Sequence, residues 1–164
     1  MVQDSSNKLD KLDFKILQIL QENSKITNLD LSKRIGLSPA PTLERVKKLE
    51  QTDVIDSYHA KVNPNSLGLS VSSFVMGTLA WHKPNAMNNF LTKIQAIDEI
   101  VECYVITGDA DFLMKVICKD IPTYEQLLFK TLSQIEEIER LKTLMTLSLA
   151  KDAKILPYDY DDER

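Results

Sequence analysis

The short distance between two helical segments near the N-terminus constrains the fold of this chain more than any other feature. An amphipathic segment that begins after Thr27 ends at Gly36, a residue that adopts the left-handed backbone of a helix end without steric cost. Ser38 and Pro39 then supply a cap and a first-turn proline, so the next helix begins almost at once. Two helices joined by so short a turn cross steeply, which predicts a helix-turn-helix.

A third helix is expected over residues 10–22, where apolar side chains recur at helical spacing and Asp10 and Asp13 form a cap. The helix that begins at Pro39 is predicted to span residues 39–52. Its expected buried positions are Leu43, Val46 and Leu49. Arg45 and Lys48 would then project outward.

The charge distribution adds a cationic patch to this N-terminal part. Residues 1–62 carry 10 positive and 9 negative side chains although the whole chain has a net charge of −4, and residues 33–48 alone carry five cations and one anion.

In a helix-turn-helix the second helix of the motif enters the major groove of double-stranded DNA. The predicted DNA-contacting residues are Thr27, Asn28, Ser38, Ala40, Pro41, Thr42, Arg45 and Lys48. Arg45 suits a guanine edge or a phosphate, and the alternative is a three-helix bundle whose charged face only keeps it soluble.

The second half repeats a strand, helix, strand pattern. Strands are predicted over residues 70–81, 100–106, 112–119 and 140–149, with helices opening near Asn85 and Pro122. This order predicts a ferredoxin-like βαββαβ domain with both helices on one face of an antiparallel sheet. We therefore expect an α+β chain with a winged helix-turn-helix and β linker over residues 1–62, a ferredoxin-like domain over 63–156 and an acidic tail over 157–164. Residues 54–62 would supply the β segment, as a wing or a connector.

The predicted sheet leaves one face without a covering layer. Its strands are apolar on both faces, which is typical of strands that are covered twice. A second copy of the same chain is the simplest cover by symmetry, so we expect an obligate homodimer through this face.

A loop between the middle strands carries two carboxylates, Asp109 and Asp111, beside Thr107 and Gly108. One interpretation is a hairpin turn that Asp side chains stabilise. The other is a ligand loop that holds the ammonium group of an amino acid. A metal site is less favoured because no third ligand is evident.

Several classes of function lack their sequence signatures. No nucleophile elbow, phosphate-binding glycine loop or zinc motif occurs, and Cys103 and Cys118 show no CxxC spacing, which indicates reduced, buried thiols. No apolar run of about eighteen residues and no apolar leader is present. We expect a cytoplasmic protein that has no membrane partner, no metal, no cofactor and no enzymatic activity.

The segments LDFKILQILQENSKITNLDLSKRIGLSPAPTLERVKKLE and ITGDADFLMKV resemble the leucine-responsive and asparagine regulator (Lrp/AsnC) family from about Leu9 to Lys151. The resemblance implies dimers that often assemble further, to tetramers or octamers. It also implies an amino-acid effector bound where dimers meet, near the loop and the last strand. The effector-binding residues it implies are Thr107, Gly108, Asp109, Asp111, Thr143 and Met145. Where the family often has paired acidic residues, this chain has Ser148 and Leu149.

These features favour a sequence-specific DNA-binding transcription regulator whose activity or assembly an amino acid modulates. The alternative is an architectural DNA-binding protein that needs no effector. A third hypothesis is a ligand-sensing subunit that acts on an enzyme and leaves the cationic patch unused.

Overall fold

The computed structural model describes residues 8–153 and 155–158, which fall into two compact units. The first unit contains the chain up to Ala60 together with the stretch that begins at Lys151, and the second contains Lys61–Ala150. The sequence placed residues 151–153 and 155–156 in the second domain, whereas the structure groups them with the first unit. Residues 159–164 of the predicted acidic tail lie outside the described residues.

Three helices build the first unit: α1 (Lys11–Glu22), α2 (Asn28–Ile35) and α3 (Pro39–Gln51). The caps explain where the first two helices begin. The Asp10 carboxylate accepts the amide hydrogens of Leu12 and Asp13, as predicted for the cap. The Asp13 carboxylate also accepts the amide hydrogen of Asp10, which makes the cap reciprocal. Thr27 caps α2 through the amide of Asp30.

The turn between α2 and α3 has the predicted geometry. Gly36 ends α2 with φ 76°, in the left-handed region that disfavours other residues. Ser38 occupies the N-cap position of α3, although its side chain makes no capping hydrogen bond.

The core of the first unit contains Ile16, Ile19, Leu31, Ile35 and Leu49. The expected buried side of α3 was wrong at one position, because Thr42 is fully buried whereas Leu43 is 41% exposed. Thr42 lies seven residues before Leu49, which places both side chains on the same side of the helix. The Thr42 hydroxyl donates to the carbonyl oxygen of Ser38 and is thereby satisfied inside the core.

The β segment predicted over residues 54–62 is absent, since these residues form neither strand nor helix. A strand needs a neighbour to share its ladder of hydrogen bonds, and the sheet formed by the described residues contains only β1 to β4, none of which pairs with this segment. A short turn of 3₁₀ helix, Pro64–Leu67, follows.

The second unit contains β1 (Val71–Leu79), α4 (Ala86–Ile94), β2 (Ile100–Val105), β3 (Phe112–Cys118), α5 (Ile121–Gln126) and β4 (Ile138–Met145). After α5 the chain continues helically, through a wider turn at Leu127–Thr131 and a 3₁₀ turn at Leu132–Gln134. The strands form one antiparallel sheet in the order β2-β3-β1-β4. The predicted α+β class and βαββαβ order are confirmed; β4 is shorter than the predicted 140–149.

Alternate residues of the central strand β1 point to opposite faces of this sheet. Val75 and Leu79 pack with Phe90 of α4 and Tyr124 of α5 in one apolar core, so both helices cover the same face. The other face carries the half-buried Phe74 together with Met76, Leu113, Ile117 and Leu144. Within one chain this second face has no covering layer among the described residues.

Gly77 on β1 marks a point of close approach between two strands. A Cβ atom on Gly77 would overlap the carbonyl oxygen of Arg140 on β4 and lie 2.7 Å from Cζ of Phe112. The pairing of β1 with β4 shifts register immediately afterwards, between Thr78 and Leu79. A glycine is therefore needed at this position, where β1 lies close to both the backbone of β4 and the ring of Phe112.

No helix within the described ranges is long and apolar enough to cross a bilayer. The cysteines are both thiols, Cys118 buried and Cys103 half-buried, and burial raises the pKa of each. A raised pKa disfavours the thiolate, the reactive form.

Candidate DNA-binding and effector-binding sites

The N-terminal end of α3 presents an exposed surface beside the turn. Ser38, Ala40 and Pro41 are exposed. The side-chain amide of Asn28, at the start of α2, donates to the carbonyl oxygen of Pro39 at 2.8 Å, so the starts of the two helices are held together. Thr42 does not belong to this surface because it is fully buried, and we remove it from the predicted DNA-contacting residues.

Arg45 is the residue whose placement differs most from the prediction. Its Nη1 donates to Asp10 Oδ2 and to Asp13 Oδ1, both at 2.7 Å. The Arg45 side chain is 31% exposed and that of Asp13 only 8%. The expected outward projection of Arg45 was therefore wrong: the two capping carboxylates of α1 turn the guanidinium back across the unit. We call this arrangement the Asp10–Asp13–Arg45 clamp.

Hydrogen bonds within the clamp shift the pKa values of Arg45 and Asp10 toward their charged forms. Hydrogen bonds to Asp13 and then Asp10 raise the pKa of Arg45. Partial burial acts to raise the pKa of Asp10, but hydrogen bonds from the Asp13 amide and from Arg45 outweigh it and lower this pKa. The clamp thus joins α3 to the start of α1 by ionic hydrogen bonds, which are about twice as strong as neutral ones.

The remaining cations of the patch lie at the surface. Lys33 lies 3.7 Å from Asp30, and Lys47 lies 3.3 Å from Glu44. Lys48 and Arg34 are exposed. These side chains can contact the phosphate backbone of DNA without breaking an ion pair to a buried carboxylate.

The loop between β2 and β3 is anchored by the main chain and side chain of Asp111. Its carboxylate Oδ2 accepts the amide hydrogen of Leu79 at 2.7 Å and the indole N–H of Trp81 at 3.0 Å. The main-chain amide of Asp111 donates to the carbonyl oxygen of Gly77. Asp111 therefore ties the loop to the end of β1, which favours the structural interpretation of this carboxylate.

The rest of the loop is open to solvent. Thr107, Gly108 and Asp109 are exposed, and Gly108 has φ 117°, a backbone conformation that favours glycine. Asp109 is the loop carboxylate that remains accessible to a ligand.

The two effector-binding residues implied on β4, Thr143 and Met145, lie on a different strand from the loop. Thr143 and Met145 of β4 pair with Val75 and Ser73 of β1, whereas Asp111 hydrogen-bonds to Gly77 and Leu79, further along β1. The Thr143 hydroxyl lies 2.6 Å from the Tyr124 hydroxyl of α5. Within one chain, β1 therefore lies between the β4 residues and the strand β3 that follows the loop.

The sequence prediction missed two groups of polar residues. Trp81 lies against Asp111 just beyond the end of β1 at Leu79, although the strand predicted over residues 70–81 included it. On the uncovered sheet face, Glu102 accepts hydrogen bonds from Lys115 at 2.7 Å and from the Tyr104 hydroxyl at 2.8 Å. No cluster of three metal-ligating side chains occurs in the part of the chain that the structure describes.

Acid is expected to weaken the fold through these carboxyl groups. The hydrogen bond from Lys115 and then that from Tyr104 lower the pKa of Glu102, and the pKa of Asp10 is lowered as described above. A carboxyl whose folded pKa is depressed stabilises the protein above its unfolded pKa, and this contribution is lost as the pH falls through the folded value. The free energy of unfolding should therefore hold above about pH 5 and decline below the ordinary values of 4.5 for Glu102 and 3.8 for Asp10.

Urea unfolding at a series of pH values tests this expectation, and the Glu102→Gln variant should show a shallower decline. The pH range from about 5 to about 3 extends roughly one unit around the ordinary pKa values of these carboxyl groups. A free energy of unfolding that rises as the pH falls through this range would contradict the expectation.

Comparisons with known proteins identify the family. A model described as the Lrp/AsnC ligand binding domain matches residues 72–156, and one described as a winged helix-turn-helix DNA-binding domain matches residues 9–56. The chain belongs to the Lrp/AsnC family. The leucine-responsive regulatory protein of Haemophilus influenzae is 42% identical over 148 residues, which cover 90% of this chain and 89% of that protein.

Solved Lrp/AsnC-like structures have the same fold. A transcriptional regulator of Neisseria meningitidis in complex with L-Met superposes with a TM-score of 0.88 at 31% identity, covering 92% of this chain and 97% of that one. An AsnC family regulator of Agrobacterium tumefaciens gives 0.85 at 33% identity, covering 93% and 99%. The chain is thus an Lrp/AsnC transcription regulator with a winged helix-turn-helix and a ligand-binding domain, which confirms the interpretation as a regulator rather than an enzyme.

Proposed function

We propose that this Lrp/AsnC regulator binds specific double-stranded DNA sequences in the cytoplasm and that an amino acid modulates this binding. The observation that carries the first part is the exposed N-terminal end of α3, formed by Ser38, Ala40 and Pro41 beside the Gly36 turn. This is the end of the second helix that a helix-turn-helix places against base edges.

The DNA-contacting residues divide by role. Ser38, Ala40 and Pro41 are placed for base edges, while Lys48 and the amides of Thr27 and Asn28 are placed for phosphates. Arg45 acts in this proposal as a positioning residue, because its guanidinium is held by Asp10 and Asp13.

Replacement of Lys48 by alanine is expected to weaken DNA binding about equally for all sequences. A lysine that neutralises a phosphate releases a counterion, so its loss should lower the slope of log affinity against log salt by about one. Fluorescence anisotropy with a labelled duplex over a range of salt concentrations measures both quantities.

Lys130→Ala is the matched control, since Lys130 is an exposed lysine of the second unit. An unchanged salt slope in Lys48→Ala would remove Lys48 from the interface. Binding that is insensitive to salt would count against DNA binding through this patch altogether.

An architectural DNA-binding protein without an effector is the second candidate. It is favoured by the clamp, because Asp10 and Asp13 hold the guanidinium of Arg45, a residue that the sequence assigned to a guanine edge or a phosphate. Footprinting on several promoters separates the two functions. One shared protected sequence supports the regulator, whereas uniform protection supports the architectural protein.

The proposed effector is an amino acid, because the structural relative from Neisseria meningitidis was solved with L-Met. Its ammonium group suits the exposed Asp109 carboxylate and the open backbone of Thr107 and Gly108. Asp111 would position this loop, and Thr143 and Met145 would contribute from β4.

Because β1 lies between the loop residues and Thr143 and Met145 within one chain, we propose that the complete effector site forms between chains. The uncovered sheet face would hold a second copy, giving a homodimer that assembles further to a tetramer or an octamer. Sedimentation velocity with and without amino acid measures this assembly, and a protein that remains monomeric would exclude a shared site.

The single tryptophan, Trp81, reports on the effector loop through its contact with Asp111. Addition of L-Met, followed by the other common amino acids, is expected to change Trp81 fluorescence, and Asp109→Asn should abolish the change without loss of stability. Asp111→Ala is a poorer probe, since it leaves the Leu79 amide unpaired at a cost of about 1 to 2 kcal/mol.

Glu125→Gln, an exposed carboxylate on α5, is the control for Asp109→Asn. If no amino acid changes the fluorescence or the melting temperature of the unmutated protein, the effector proposal fails while the DNA proposal stands.

A further inference from the structure

The C-terminal segment, residues 155–158, belongs to the same compact unit as the helix-turn-helix and packs on α1. The Tyr158 ring lies 5.3 Å from that of Phe14 between centroids, tilted by 31°. The Tyr158 hydroxyl donates to the carbonyl oxygen of Phe14 at 3.1 Å, and the amide of Leu156 donates to the side chain of Gln21 at 2.9 Å. The segment is thus attached along most of the length of α1.

These contacts close one side of a groove on the unit. The groove has a volume of about 510 Å³ and lies between the Leu17 side of α1 and residues 54–59, with Leu156 and Tyr158 at its rim. Residues 54–59 have no regular secondary structure, and together with Leu156 and Tyr158 they line the groove beside α1.

From Phe14 the contacts continue to the recognition helix. Phe14 follows Asp13, whose carboxylate holds Arg45 of α3 at 2.7 Å. The segment, α1, the clamp and α3 therefore form one continuous series of contacts inside the first unit. In the other direction, nine residues lie between the end of β4 at Met145 and Ile155, and β4 carries two of the proposed effector residues.

We propose that residues 155–158 act as a regulatory strap, which braces α1 and thereby the recognition helix, and which links the state of β4 to DNA binding. The regulatory part of this inference rests on the proposed function. A strap of this kind needs no contact between the ligand and the DNA-binding unit, since the chain itself connects β4 to α1.

Hydrogen exchange of the full-length protein tests the bracing. The variants are Tyr158→Ala, Tyr158→Phe, which loses only the hydroxyl, and Phe129→Ala as a control, because Phe129 is a 71% exposed aromatic residue of the second unit. Tyr158→Ala should speed exchange across α1 by roughly tenfold, as expected for the loss of an aromatic pair and a hydrogen bond. Tyr158→Phe should give a smaller increase, and Phe129→Ala none in α1. Unchanged α1 exchange in Tyr158→Ala would overturn the strap.

DNA affinity then tests the link to the recognition helix. Tyr158→Ala and Asp13→Asn should each weaken binding of a promoter duplex, and the double variant should lose less than the product of the two factors, because both act through the same contacts. Tyr158→Ala should also reduce the change in affinity caused by L-Met or by the amino acid that the fluorescence screen identifies.

Independent effects in the double variant, or an unchanged amino-acid response, would overturn the regulatory role even if α1 exchanges faster. Failure of the unmutated protein to bind any duplex would instead overturn the proposed function. In that case the exchange data alone still decide whether the segment braces α1.

Discussion

Alanine in place of Gly77 is expected to destabilise the ligand-binding domain by at least about 3 kcal/mol, the upper part of the range for overpacked cores. The added methyl group would meet a main-chain oxygen, that of Arg140, as well as the fully buried ring of Phe112. A side chain is able to change rotamer, but β4 can yield only by moving its backbone, which would break its pairing with β1. Urea unfolding followed by circular dichroism measures the loss.

Gly36→Ala is the informative comparison for this substitution. No atom lies within 4 Å of a Cβ at Gly36, so only its φ of 76° opposes the change, and the expected loss is about 1 kcal/mol. A Gly77→Ala protein that is as stable as Gly36→Ala would show that β4 is displaced easily, and it would contradict the close approach described here.

Loss of the Arg45 guanidinium is expected to have the second largest effect. Arg45→Ala leaves the Asp13 carboxylate, 8% exposed, without its cation. Removing one partner of a buried pair costs about 3 to 5 kcal/mol, and since Arg45 is 31% exposed we expect about 2 kcal/mol after allowance for solvent screening. Chemical unfolding measures this cost, and DNA affinity should fall in the same variant.

Asp13→Asn distinguishes the two explanations for a loss of DNA affinity. If Arg45 only positions α3, Asp13→Asn weakens binding as Arg45→Ala does. If Arg45 instead contacts the duplex directly, Asp13→Asn releases it and binding is maintained or strengthened. The second result would return Arg45 to the role that its place on α3 suggested.

The elements that depend on local chemistry were predictable from the sequence. The Asp10 cap and the left-handed Gly36 follow from residue type, and the order of strands and helices follows from the spacing of apolar residues. Together with the family resemblance, these signals sufficed for the fold and for the class of function.

The misplaced residues depend on side-chain hydrogen bonds that the spacing of apolar residues does not encode. Thr42 is buried because its hydroxyl finds an acceptor four residues earlier, so a polar side chain takes a place that hydrophobicity assigned to Leu43. Arg45 turns inward because two carboxylates more than thirty residues away face it. The spacing of apolar residues along a helix does not predict where such hydrogen-bond partners lie.

The strand order has a consequence for how the protein is made. The central strand β1 pairs with β3 and β4, so Val71 meets Cys118 and Ser73 meets Met145, and neither strand-helix-strand half contains a complete pair of neighbours. Such distant pairings make folding slow relative to local helix formation. On the ribosome, helices α1 to α3 are therefore able to form early, while the sheet must wait until nearly the whole polypeptide has emerged.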